Sequence, residues 1–299
     1  MKGTARSRAF VSMVVLALML LGVPYAGAVT VQANASPTVL DDPLTMNAET
    51  ILAPEELGEW DQLGWSVAID GNTAVAGAIY DNDDAGAVYV YERVDHEWVR
   101  TARLVSSDPG EYEYFGGSVA IEGGTIVVGE FRDQDGGVSK GAVHVFTKSG
   151  TVWSHAAKLV ASPRVTNGEF GCDVAISGGA IAIGSYGYDA YEGGAYVFRG
   201  SGSAWAQEDV LPAPTPEAYH TGESVDIDGD TLLVGVPQDD GVTSDAGAVY
   251  VYTRSGTDWQ MRKTLTASDA AASDYFGGSV ALHDQLARIS AKANDGLSN

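Results

Sequence analysis

Cysteine is almost missing from this chain: among 299 residues only Cys172 carries a thiol. No disulfide can close within the chain, so the fold must be held by its core alone. Basic residues are also scarce. Lys and Arg number 17 against 40 Asp and Glu, a formal net charge of −23. That field repels duplex nucleic acid and anionic lipid, which makes both poor partners. No apolar run follows the one at the N-terminus, so no later segment is expected to cross a membrane. Nucleophile elbows, P-loops and dinucleotide fingerprints are absent from the sequence. The five histidines show no His-x-x-x-His pair, and acidic pairs are too common to single out a glycosidase dyad. The expectation is a protein without catalysis.

What is present begins with Lys2, Arg6 and Arg8, the apolar run 9–21 and the small residues Ala26, Gly27 and Ala28. This is the layout of a secretory signal peptide, expected over 1–33. A polar, Pro-containing lead-in is expected over 34–43 and the folded domain over 44–299. The mature chain is therefore expected outside the cell or at its surface.

The main signal is internal repetition. Blocks start at Leu63-Gly64-Trp65-Ser66-Val67, Phe115-Gly116-Gly117-Ser118-Val119, Phe170-Gly171-Cys172-Asp173-Val174, Thr221-Gly222-Glu223-Ser224-Val225 and Phe276-Gly277-Gly278-Ser279-Val280. Successive anchor glycines are 52, 55, 51 and 55 residues apart. Thirteen residues after the first four anchors lies a second glycine, at Gly77, Gly129, Gly184 and Gly235. Trp98, Trp153, Trp205 and Trp259 recur farther on. Each period reads as four short strands. Turns such as Asp70-Gly71-Asn72 join the first two, since Gly supplies positive φ at no steric cost. A run such as Gly86-Ala87-Val88-Tyr89-Val90-Tyr91 forms the third. Four antiparallel strands per period of about 50 residues predict an all-β chain of propeller blades. Four full blades and a truncated fifth are visible. In the fifth, Arg288 falls where Val75 and Val127 stand, a costly place for a charge unless it reaches water. Leu44 to Ala53 resembles the last strand of a preceding blade.

The Phe-Gly anchors, Val234-Gly235-Val236-Pro237, Ala76-Gly77-Ala78 and the Gly-Ala-Val-Tyr-Val-Tyr strand resemble the FG-GAP repeats of integrin α chains and of many secreted microbial proteins. The resemblance implies a propeller and a role in adhesion, ligand binding or assembly. Many repeats of that family carry a calcium loop between the two glycine elements. Here that interval holds only a tight turn, without the six to eight oxygens Ca²⁺ takes, so no calcium site is carried over there.

The loops before the third strands are acidic and should gather at one end of the blades. They offer Asp81, Asp83 and Asp84, then Asp133 and Asp135, then Asp189, then Asp239 and Asp240. They read either as solvated turns of an acidic protein or as a surface for a ligand. No cofactor is expected, and Ca²⁺ is the one ion these loops could take. His144 stands at a strand position held elsewhere by Tyr89 and Tyr250, which points to core packing. Cys172 is expected to be an inert thiol. The function expected is a secreted or cell-surface binding module for an extracellular protein or carbohydrate, with self-association open through the incomplete fifth blade. The alternatives are a polysaccharide hydrolase, marked by two carboxylates converging near the axis, and a structural piece of a larger surface array.

Overall fold

A computed structural model describes residues 54, 57–134, 137–164, 166–187, 193–284 and 286–292, without the side chains of residues 82 and 83. The expected signal peptide, the lead-in and the strand-like stretch 44–53 lie outside the described residues. The regular elements among the described residues are strands apart from one helical turn, α1 (Asp81–Asp84). The first sheet holds β1 (Leu63–Asp70), β2 (Thr73–Ala78), β3 (Ala87–Val94) and β4 (Glu97–Leu104). The second holds β5 (Phe115–Glu122), β6 (Thr125–Glu130), β7 (Ala142–Ser149) and β8 (Val152–Leu159). The third holds β9 (Val174–Ser177), β10 (Ala180–Ser185), β11 (Gly194–Ser201) and β12 (Ala204–Pro212). A two-residue strand, β13 (Ala218–Tyr219), precedes β14 (Ser224–Asp228) and β15 (Thr231–Val236), and pairs with β16 (Gln238–Asp239). β17 (Ala248–Ser255) and β18 (Asp258–Leu265) complete the fourth sheet, and β19 (Phe276–His283) with β20 (Leu286–Ala291) forms the hairpin of the fifth.

Every sheet is an antiparallel meander in chain order, and the sheets stack face to face through their first strands: β1 on β5, β5 on β9, β9 on β14, β14 on β19. Three apolar layers fill the gaps between the four full blades. Val75, Val88 and Val90 meet Phe115, Ile126 and Phe146 in one layer that also holds Trp153. Val127, Val143 and Val145 meet Phe170, Ile181 and Tyr196. Ala182, Val197 and Leu211 meet Leu232, Val234, Tyr252 and Trp259. Fully buried strands of this kind read as continuous apolar runs, which is why the second and third strands look so uniform in sequence. A bulge falls at one equivalent place in the outer hairpin of all four full blades, between Val90 and Tyr91, Val145 and Phe146, Val197 and Phe198, and Val251 and Tyr252. An extra residue there deepens the twist that propeller sheets need.

The glycine pattern is an inter-blade device. The Gly117 N–H donates to the Tyr114 carbonyl at 3.0 Å, closing a turn whose third residue, Gly116, has φ +89°. That geometry requires positive φ, which glycine alone adopts freely. The Gly116 carbonyl then lies flat on the preceding blade, where a Cβ on Gly77 would be 2.1 Å from it. The same 2.1 Å approach recurs for Gly129 on Gly171, Gly184 on Gly222 and Gly235 on Gly277. Beside each contact a side chain crosses the gap: the hydroxyls of Ser66, Ser118 and Ser224 donate to the carbonyls of Gly116, Gly171 and Gly277 at 2.7–2.8 Å. In the third blade the Cys172 thiol does the same toward Gly222 at 3.3 Å, and burial pushes its pKa well up. It is a neutral hydrogen-bonding group, as an inert thiol should be.

At the other end of the first strands, the hairpin turns link blade to blade. Asp70 accepts from the Gly123 N–H, Glu122 from Gly178, Ser177 from Gly229 and Asp228 from Asp284. The interval between the two glycine elements is thus occupied by turn-to-turn hydrogen bonds. In the fifth hairpin, Arg288 pairs across from Ala281 and is exposed, so its charge reaches water. No large side chain of β19 or β20 is fully buried.

Candidate functional site

The acidic loops of the first, second and fourth blades emerge at the end where the second strand leads into the third, but the structure turns three of the candidate residues inward. Asp81 is buried and accepts from the Tyr89 hydroxyl at 2.7 Å and from Arg103 at 2.8 and 3.2 Å. Asp239 is buried and accepts from the Tyr250 hydroxyl at 2.6 Å and from the Gly241 N–H at 2.8 Å. Asp133 is buried between Lys158 and Arg164. For Asp81 and Asp239 the reason is local. The third strand places a tyrosine hydroxyl in the interior, and a buried phenol needs an acceptor. The carboxylate four residues after the second glycine supplies it. Burial, and then the Asp81 carboxylate, push the Tyr89 phenol up to about 12. Asp81, Asp133 and Asp239 are therefore structural acceptors rather than a surface open to a ligand. Asp84 is half-buried and Asp240 exposed, its Oδ1 accepting from the Asp245 N–H at 2.7 Å. Asp135 and Asp189 lie outside the described residues, as does the side chain of Asp83.

The second blade departs from this plan. His144 replaces the tyrosine, and Glu130 stands where the other blades have Ala78, Ser185 and Val236. Both side chains are fully buried, with His144 Nε2 2.7 Å from Glu130 Oε2. The Ser106 hydroxyl donates to the same Oε2 at 3.0 Å and lies 3.5 Å from Nε2. His144 Nδ1 is 3.0 Å from Nε2 of the exposed His155. Burial dominates both shifts, raising Glu130 to about 8 and lowering His144 to about 4. Glu113, from the segment before β5, is buried beside them, with Oε1 accepting from the Gln134 N–H at 3.0 Å. His144 is core, as expected, yet its meeting with Glu130, Ser106 and His155 is not signalled by sequence spacing. Its one signal is the pair of polar residues standing where other repeats have Tyr and a small or apolar residue. Ser106 and Glu130 converge on one ring nitrogen, whereas a Ser–His–acid relay uses two. This cluster is not built as a nucleophile.

A second pair of acids lies on the axis. The first strands of all five blades line a cavity of about 330 Å³ that includes Asp173 and Asp226. Asp173 accepts from its own blade's Val174 N–H at 3.0 Å and from the next blade's Val225 N–H at 2.8 Å. Asp226 does likewise with Ile227 at 2.8 Å and Leu282 at 2.6 Å. Both are clamps between neighbouring first strands. Burial raises Asp173 to about 7 and Asp226 to about 6. A carboxyl raised in the folded state contributes stability fully below its ordinary pKa and loses it as pH rises through the folded value. Stability should therefore fall between about pH 4 and 7. The slope cannot exceed about 1.4 kcal/mol per pH unit for one group. For Asp173 we expect about 1 kcal/mol over that window after screening at a partly accessible site. Urea midpoints across the window should slope less in Asp173→Asn than in the parent; equal slopes would remove the assignment.

Exposed aromatic residues mark the loop end. Trp60 is 70% exposed, Trp65 54% and Tyr112 55%, and Tyr219 is 39% exposed. They lie just before or at the start of first strands, at the end where the β2–β3 loops also emerge. No helix among the described residues is long and apolar enough to cross a membrane.

No curated protein is significantly similar to this chain. The family described as FG-GAP repeat matches it five times, at residues 47–91, 98–146, 153–198, 205–252 and 259–299. The second, third and fourth matches begin within an outer strand (β4, β8 and β12) and end within the third strand of the next sheet (β7, β11 and β17), so the sequence unit is offset by one strand from the structural blade. With four antiparallel blades and a fifth hairpin joined at their glycines, the chain belongs to the FG-GAP repeat family.

Proposed function

We propose that this chain is an exported, non-catalytic interaction module that takes an extracellular protein or a carbohydrate at the loop end of its blades. The observation that carries this reading is the group of exposed aromatics Trp60, Trp65, Tyr112 and Tyr219 at that end. Tyr and Trp supply rigid contact area with a polar tip, and their faces suit both sugar rings and peptide side chains. The signal-like N-terminus and the net charge of −23 support export and disfavour polyanionic partners. The test is binding of the purified chain to a glycan array and to immobilised extracellular matrix proteins. Replacing Trp60, Trp65 and Tyr112 together by Ala should weaken any captured ligand at least tenfold with the melting temperature kept. Undiminished binding would end the assignment.

A second reading, polysaccharide hydrolysis at the axis, is favoured by Asp173 and Asp226 sharing one cavity with raised pKa values. Against it, both oxygens of each carboxylate already accept backbone N–H groups. Release of reducing ends from a polysaccharide panel, lost in Asp173→Asn, would reverse the preference.

A further inference from the structure

The second blade carries more buried negative charge than its own cations balance. Glu113, Glu130 and Asp133 are all buried, and one carboxylate oxygen from each lies within 4.8 Å of the other two. Asp108 adds a fourth carboxylate at the margin. Facing them are Lys158, bonded to Asp108 and Asp133, and Arg164, 3.0 Å from Asp133. With the three buried carboxylates ionised, these two cations leave one negative charge uncompensated.

Two oxygens in this group also lack a partner. Glu113 Oε2 and Glu130 Oε1 are buried without a hydrogen bond, while the other oxygen of each side chain is engaged. A buried carboxylate oxygen left empty costs on the order of 1–3 kcal/mol, so something outside the described residues should fill this place. A hard divalent cation meets both deficits. Oxygen ligands of Ca²⁺ lie at 2.3–2.6 Å, so those on opposite sides of the ion are about 4.6–5.2 Å apart. The spacing of these three carboxylates fits within that span.

We propose that Glu113, Glu130 and Asp133 bind one Ca²⁺ ion, which staples the segment before β5 to the loop after β6. This is a different place from the turn between the two glycine elements, where hydrogen bonds already use the acids. The other blades lack the set: in place of Glu130 they carry Ala78, Ser185 and Val236. Among the described residues one such site follows. Blade two is thus pinned by an ion where blades one and four are pinned by an Asp–Tyr hydrogen bond. The proposal is independent of the function proposed above.

The experiment is titration of the purified, EDTA-stripped chain with CaCl₂, read by calorimetry and by thermal midpoint. The expected result is one Ca²⁺ per chain and a midpoint raised by several degrees at saturation. Glu113→Gln and Glu130→Gln should each weaken binding at least tenfold and abolish most of the midpoint rise. If one variant fails to fold, the other carries the test. The same two oxygens could instead share a proton, Glu130 donating to Glu113. A parent chain indifferent to Ca²⁺, with Glu130→Gln at least as stable as the parent, would establish that and overturn the metal site. Ca²⁺ binding left intact in both variants would overturn it as well.

Discussion

Gly129→Ala should cost about 3 kcal/mol or more, a large loss for a single methyl group in a domain of ordinary stability. A Cβ there would lie 2.1 Å from the Gly171 carbonyl oxygen and 2.2 Å from the Ser118 hydroxyl oxygen. Neither is the far end of a flexible chain. One is the backbone of the next blade, and the other is locked by its 2.8 Å hydrogen bond to that same carbonyl. Relief requires the second and third blades to part, which opens the layer between Val127, Val143, Phe170 and Ile181. Because stacked repeats stabilise one another through their interfaces, the damage should reach both neighbours. Gly150→Ala is the control. It has φ +62° with nothing within 4 Å of an added Cβ, so only backbone strain of about 1 kcal/mol is expected. Urea unfolding distinguishes the two, with a much lower midpoint for Gly129→Ala. Equal midpoints for the two variants would mean that blade contact at the glycines does not hold the stack together.

Asp81→Ala should lower stability by about 2 kcal/mol, whereas Asp240→Ala should stay within about 0.5 kcal/mol of the parent. Asp81 is the acceptor for the Tyr89 hydroxyl and for both donors that Arg103 directs at it. Its loss leaves a buried phenol unpaired. Arg103, with a side chain 32% exposed, recovers some hydration, which keeps the loss below that of a fully buried pair. Asp240 is exposed, with its Oδ1 on the Asp245 N–H. A ligand surface built on these acids would give the reverse pattern: binding lost at both positions and stability unchanged at both. Thermal midpoints and ligand capture on the same two variants separate the alternatives.

The family and the blade count were legible because stacking blades imposes itself on local sequence. Turn geometry demands glycine at Gly116, the flat inter-blade contact demands it at Gly129, and layers buried on both faces demand apolar third strands such as Ala142-Val143 and Ala248-Val249. Repetition multiplies each demand, so the pattern stands out even where single residues vary. Arg288 in the fifth repeat was legible for the same reason, and the structure exposes it.

The sites were not legible in this way. A run of aspartates before a third strand looks the same whether it faces water or the interior. Only the position of the Tyr89 and Tyr250 hydroxyls across the sheet decides that Asp81 and Asp239 turn inward. Asp173 and Asp226 gain meaning from the N–H groups of the following blade, more than 50 residues away in sequence. Glu113, Glu130 and His144 come from three separate segments and share no spacing. The chain determines its architecture by itself, because backbone packing is specified residue by residue and repeated. Charge compensation is a property of distances between segments, and only the tertiary structure sets those.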